Sequence, residues 1–503
     1  MYYTKNYRNL QKNMAQEASV VDVQYRKQFL SQSMYGLDYV KSHYKDTENI
    51  TKYLKNQTDD WTKLLQSYKG TSSYALDGNV KAGLLDNQGF TYDNAMAVLA
   101  YVASFNYEKA AKILRVYQKE FYVEKNGYIG LFTSYRTDDF GYNENLIIGI
   151  DGDKIHVGPN AWIAVAALQY TAMTGSLEFL PFVIDMSKWI DSLNHFTFAD
   201  GSRGGVSMGS GWGLDFSKTF STENIIDDYA LKNMLKDLYE LNDKEILKIF
   251  KNKKYTLAAI NAEMENIENF MMKVVYDNNK KTFVRGYNES GVDTVDPLDT
   301  TSWTILAMGP SNLAKMGADP YKMMEFVDKN FLVETKMEGV NVKGYDLTSS
   351  AGRGSRKGVI WFEGTNFHII AMQIMSEYAK KQGDQKMFKY YRDKAVFFTN
   401  EVKKAATNEG VLPYTSAKVG EKEVVETFED GGWEIARGKG NNTVSSMSST
   451  TWWYLVLSAF NPLAFEKESV SYKLFQKETL KTAKKTKSNK KPIQIKTDSN
   501  KNK

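Results

Sequence analysis

Six times along this chain an aromatic- and Gly-rich stretch runs into a helix that is apolar nearly all round. Five of the six open on an acid or an amide: Tyr92-Asp93-Asn94, Gly158-Pro159-Asn160, Thr222-Glu223-Asn224, Leu298-Asp299-Thr300 and Phe362-Glu363-Gly364-Thr365-Asn366. The sixth opens Ser448-Ser449-Thr450-Thr451-Trp452. A helix that is apolar on every side must be buried on every side. Polar groups gathered at the buried ends of six such helices imply a shared cavity.

Each of the first five is followed by an amphipathic helix that shows charge on one face, as with Lys109, Lys112, Arg115 and Lys119. Inner helices therefore alternate with outer ones. The periodicity predicts pairs at 91–103 and 106–121, 160–174 and 177–195, 222–241 and 256–277, 300–308 and 320–333, and 362–380 and 385–406, with a short insert at 243–252 and a last inner helix at 447–460. Short turns such as Thr174-Gly175-Ser176 make the members of a pair antiparallel neighbours. The helical spacing at 17–45 is placed to supply the missing outer helix and close a ring. Long linkers at 122–159, 196–221, 278–299, 334–361 and 407–446 all emerge on one face, with strand-like alternation as in Tyr128-Ile129-Gly130-Leu131-Phe132. Loops collected over one end of a rigid scaffold are where function concentrates. An open solenoid of the same pairs is the competing arrangement; the uneven repeat length and one-sided loops favour closure. The expected organisation is an N-terminal extension at 1–16, a ring domain at 17–465 and a tail at 466–503.

Composition narrows the chemistry. The chain has no cysteine, which removes disulfides, thiol nucleophiles and Cys-based zinc sites. Its four histidines, His43, His156, His195 and His368, are not at ligand spacing, so neither a metal nor a cofactor is expected. No apolar run reaches the ~18–20 residues of a membrane span. The start, Met1-Tyr2-Tyr3-Thr4-Lys5, carries no apolar signal core. The expectation is a secreted or cell-surface protein whose leader is absent from this chain, with a cytoplasmic protein as the alternative. Residues 473–503 hold eleven Lys against Glu478 and Asp498, a net +9 that leaves −4 for the rest of a chain totalling +5. Such a tail is either a solvated, unstructured segment or a tether to an anionic surface; specific nucleic-acid binding is not expected of basic charge without interleaved aromatics.

The hairpin count and the one-sided loops resemble the six-hairpin, (α/α)6-toroid glycosidase superfamily. So do the phrases Tyr92-Asp93-Asn94-Ala95, Ser221-Thr222-Glu223-Asn224 and Trp361-Phe362-Glu363-Gly364-Thr365, and the closing Ser448–Trp453 helix with Phe460-Asn461-Pro462 behind it. The resemblance covers about residues 20–462 and points to no single family. It implies a mainly α toroid with short β-hairpins on the loop face. It also implies an activity drawn from hydrolases, epimerases, polysaccharide lyases or members without catalysis.

Cleaving a glycosidic bond by hydrolysis needs two carboxyl groups, one protonated to assist the leaving oxygen and one to activate water or attack the sugar. Glu223, Asp93, Asp227 and Glu363 are the candidates, with Glu223 as the acid and the other three competing for the base. Each acid near a helix start is also readable as a cap or a dipole-complementing group. Asp227 lies beyond the first turn, where that reading fails. Tyr92, His156, Asn160, Trp212, Asp299, Trp361 and Trp433 are the candidate substrate-binding residues, since aromatic faces with a polar rim suit sugar rings. Arg136, Arg203, Arg353, Arg356 and Arg437 lie in the same loops and would favour charged glycans if they face a cleft. The sequence thus predicts a glycoside hydrolase with a carbohydrate substrate. A lyase or epimerase on the same scaffold, or a glycan-binding protein without catalysis, remains as alternative.

Overall fold

The computed structural model describes residues 46–54, 64–69, 87–124, 129–140, 146–148, 154–211, 216–354, 357–417 and 445–465. The extension at 1–16, the helical segment at 17–45, Trp212, Arg356, Trp433, Arg437 and the tail at 466–503 lie outside them. The six all-apolar segments are helices at Thr91–Ala103, Val157–Thr174, Thr222–Glu240, Leu298–Met308, Phe362–Lys381 and Met447–Leu457. Each packs against the next, and the sixth packs against the first, so the ring closes. Outer helices run at Tyr107–Phe121, Leu180–Asp191, Leu257–Phe270, Pro320–Asn330 and Gln385–Ala405. The helix at 46–54 lies in the remaining gap, where Leu54 O accepts from the Tyr101 hydroxyl at 2.8 Å and Asp46 pairs with Lys403 at 2.7 Å. Among the described residues no helix is long and apolar enough to cross a membrane.

One backbone contact recurs at every inner helix. The N–H of its first residue donates to a loop carbonyl one repeat away: Thr91 to Thr133, Val157 to Met208, Thr222 to Arg285, Leu298 to Leu347, Phe362 to Tyr414, and Met447 to Ser67, all at 2.8–3.0 Å. The last of these joins the two ends of the ring. Short antiparallel pairings accompany it, such as Lys154–His156 with Gly209–Gly211 and Ser445–Ser446 with Tyr68–Lys69. The helix starts are orphan donors that water cannot reach, and this collar satisfies one at each helix. The fourth helical residue reinforces it. Asn94 accepts from Leu65 N and donates to Leu65 O and Phe90 O; Asn160 repeats the pattern on Leu131 and His156 O. Thr365 and Thr450 accept backbone N–H groups in the fifth and sixth repeats.

Several expectations shift. The second inner helix begins at Val157 rather than 160, because Pro159 sits in the first turn, where a missing N–H costs nothing. The outer run expected at 177–195 is helical over Leu180–Asp191, and its end passes into the short strand His195–Thr197. Of the strand expected at Tyr128–Phe132, Tyr128 lies outside the described residues and 129–132 are not in a strand; one follows at Ser134–Phe140. Asn160, a candidate sugar ligand from the sequence, instead belongs to the collar: its side-chain amide is spent on backbone groups and it is fully buried. Replacing Asn160 with Ala should leave the Leu131 N–H and C=O buried without partners and lower stability by about 2 kcal/mol; urea unfolding measures it.

Candidate active site

The collar places the second residue of all six inner helices on one cavity. In ring order these are Tyr92, Gly158, Glu223, Asp299, Glu363 and Ser448. The cavity, about 370 Å³, lies at the loop-bearing end and is walled by Tyr68, Trp162, Trp303, Trp361 and Tyr414. Below it, Trp162, Trp303, Trp452 and Phe367 form an edge-to-face and stacked cluster with centroids 5.1–6.4 Å apart. That cluster plugs the ring.

None of the acids is a cap. The N-cap positions are Phe90, His156, Ser221, Pro297, Trp361 and Ser446. Asp93, Glu223, Asp227, Asp299 and Glu363 all face the cavity. Among the described residues its lining holds one lysine, Lys154, and no arginine. Arg136 and Arg353 are tied to Asp138 and Asp346, and Arg203 lies 3.6 Å from Glu263. The sequence had left open whether such arginines face a cleft.

Burial holds the five carboxyls above the usual range, and repulsion from neighbouring acids adds to it for Asp93, Glu223, Asp227 and Glu363. Desolvation pushes Asp93 up to about 8, against stabilising contacts from Ser67 and Ser448 and with added repulsion from Glu363. Glu223 is raised to about 8, first by burial and then by the charges of Asp299 and Glu363. Glu363 is raised by burial to about 7, restrained by hydrogen bonds from Tyr92 and Ser448. The Tyr92 hydroxyl donates to Glu363 Oε1 at 2.5 Å, and Trp452 Nε1 donates to that hydroxyl at 2.7 Å. Asp299 is raised by burial, with its backbone neighbour Thr300 and the charge of Arg285 pulling the other way. Asp227 is raised well above the ordinary value by burial and by Glu223 and Asp299. Its neighbour Asp228 faces the other way, into an ion pair with fully buried Lys232 at 2.7 Å.

Gly158 explains how Asp227 fits. A Cβ there would come 2.8 Å from Asn224 Oδ1 and 3.1 Å from Asp227 Oδ2. Asn224 accepts from Gly158 N–H at 2.5 Å. His156 precedes this helix, lines the cavity, and meets Phe216 edge to face at 5.1 Å. His368, read from the sequence as a core histidine, is fully buried with Nδ1 2.9 Å from Ser302 Oγ. The sequence reading missed Ser448, Ser67, Tyr414 and Trp162. Ser448 was findable, because it holds the same offset in its helix as Glu223, Asp299 and Glu363 in theirs.

This geometry is that of an (α/α)6 toroid. Solved structures with the fold include a glycosidase variant in complex with glucose, 10% identical, covering 85% of this chain and 98% of its own, with a TM-score of 0.51. A family 76 glycoside hydrolase from a bovine Bacteroides thetaiotaomicron strain is 11% identical over 84% of this chain and 78% of its own, TM-score 0.51. A sugar epimerase from a ruminal bacterium is 11% identical over 83% and 98%, TM-score 0.52. No family model matches the sequence, and no curated protein matches it.

The raised carboxyls have a thermodynamic signature. Asp93 binds its proton up to about pH 8 in the folded chain, whereas the unfolded chain releases it near 4. Between those values the folded state holds more protons, so this group's contribution to stability falls as pH rises. Asp93→Asn should therefore gain melting temperature relative to the parent as pH goes from about 5 to about 8, with the two converging near pH 4; calorimetry across that range checks it.

Proposed function

We propose that the chain is a glycoside hydrolase that cleaves an oligo- or polysaccharide at the mouth of the toroid. One observation carries this reading: three consecutive inner helices present Glu223, Asp299 and Glu363 from the same position onto an aromatic-walled cavity. Three carboxyls in one low-dielectric space cannot all ionise at neutral pH, which is how an acid and a base come to coexist there.

The surroundings support a division of roles among them. Glu223 feels two neighbouring acids, so it keeps its proton and serves as the general acid. Glu363 receives the Tyr92 hydroxyl and a contact from Ser448, both of which stabilise its ionised form. It serves as the base or nucleophile. Asp299, set between them in the ring, supports Glu223 as an acid through its charge. Tyr92, itself fixed by Trp452, positions Glu363. The neighbouring glycosidases and family 76 hydrolase support this reading by fold. A cysteine-free chain suits a secreted or cell-surface enzyme, and that location belongs to the same proposal.

The epimerase alternative retains one specific support, His156 on the cavity wall. Incubation with a glycan panel and mass spectrometry separates the two. Hydrolysis adds one water per cut, whereas epimerisation leaves mass unchanged and alters chromatographic mobility. Glu223→Gln and Glu363→Gln should each reduce kcat by roughly 10²–10⁴; parent-like turnover by either variant would sink the role assigned to it. The rate should rise as Glu363 ionises near pH 7 and fall as Glu223 ionises near pH 8. Tyr92→Phe removes a donor that favours ionised Glu363, so the rising limb should move to higher pH while the falling limb stays.

A further inference from the structure

The cavity wall carries buried hydrogen-bonding groups that the protein leaves unmatched. The indole N–H groups of Trp162, Trp303 and Trp361 meet no acceptor in hydrogen-bond geometry, and both oxygens of Asp227 and Oδ1 of Asp299 meet no donor. Trp162 lies beside the Asp227 carboxyl and Trp361 beside the Tyr414 hydroxyl, each outside that geometry. Asp227 and Trp162 are 1% exposed, Trp303 3% and Trp361 6%. Native proteins rarely bury such groups without a partner, and on a cavity wall the partner is water or the ligand that displaces it.

The mixture of donors and acceptors limits what that ligand is. An indole only donates, and an ionised carboxylate only accepts; a protonated Asp227 still keeps one oxygen that only accepts. An ammonium group only donates, so an amino sugar's charged end would leave the indoles unmet. A carboxylate or phosphate only accepts, so it would leave unmet the acceptor oxygens that Asp227 and Asp299 keep whether protonated or not. A hydroxyl does both. We propose that the cavity takes an uncharged sugar ring, with Asp227 accepting from its hydroxyls and the Trp303 indole N–H donating to one. This inference rests on the sugar-cleaving reading of the same cavity and adds the substrate's charge class and two specificity residues.

The test is a binding experiment on the full chain carrying Glu223→Gln, which removes turnover. Glucose, mannose and galactose are titrated beside their 2-amino and uronic counterparts at about pH 6, where an amine is charged and a uronate ionised. Saturation-transfer NMR and tryptophan fluorescence report binding. At least one uncharged sugar should bind about tenfold more tightly than either of its charged counterparts. Adding Asp227→Leu, which removes both oxygens at similar volume, or separately Trp303→Phe, should weaken it about tenfold, the effect of removing one hydrogen bond to a charged or fully buried partner. The conservative Trp303→Phe keeps the aromatic packing, so it carries the test if Asp227→Leu does not fold. Equal or tighter binding of a charged form overturns the inference, as does unchanged affinity in the folded variants. So does absence of any uncharged ligand up to ~100 mM, well above the millimolar Kd of a weak complex. The two readings fail separately. An uncharged sugar bound with this selectivity, but with no glycan cleaved by the parent, removes the hydrolase and keeps the inference. Cleavage confined to amino- or uronic-acid glycans keeps the hydrolase and removes the inference.

Discussion

Everything in this molecule depends on how six fully buried helices satisfy their own ends. A helix that shows no face to water must find partners for its first N–H groups inside the protein. Here the first N–H of each inner helix reaches a loop carbonyl one repeat away, and Met447 N–H reaches back to Ser67 O. The same hydrogen bond thus defines the repeat, closes the ring and sets the height of each helix start. With the starts level, the second residue of each helix has one place to go, which is the central cavity.

That regularity makes the site economical to build and demanding electrostatically. Substituting one position in each repeat changes the cavity wall without altering the ring. The chain places Tyr, Gly, Glu, Asp, Glu and Ser there. The small and hydroxylated members serve the acids: Gly158 leaves room beside Asp227, Ser448 contacts Asp93 and Glu363, and Tyr92 orients Glu363. The aromatic plug beneath lowers the local dielectric, so the acids interact strongly and their proton affinities rise. Helix N-termini alone would act the other way and favour ionisation. Burial outweighs them, because desolvation is the leading cause for every one of the five acids.

The pair Asp227 and Asp228 shows how narrowly this is tuned. Adjacent in sequence, they point to different sides of one inner helix, about 100° apart. Asp228 is neutralised by Lys232, which is held in turn by Asp191 on the second outer helix. Asp227 receives no cation and is left to the cavity. One acid ties the inner ring to the outer, and the other faces the site.

The sequence by itself determined the ring. Helices apolar on every side can only pack on each other, and amphipathic partners can only lie outside them, so the inner and outer layers, their order and the one-sided loops were legible from periodicity. It also marked Glu223, Asp227, Asp299 and Glu363, because polar groups gathered at the buried starts of apolar helices imply a shared cavity, and Asp227 lies beyond the first turn, where a capping role fails. Roles were not legible. Glu223 follows its helix start by one residue and Asn160 by three, yet Asn160 holds the collar and Glu223 faces the cavity. Trp162, in the middle of an all-apolar helix, lines the cavity wall. One residue of offset rotates a side chain by about 100° around a helix. Only the tertiary structure, through the collar that fixes each helix's height and rotation, decides which polar groups meet backbone and which meet the cavity.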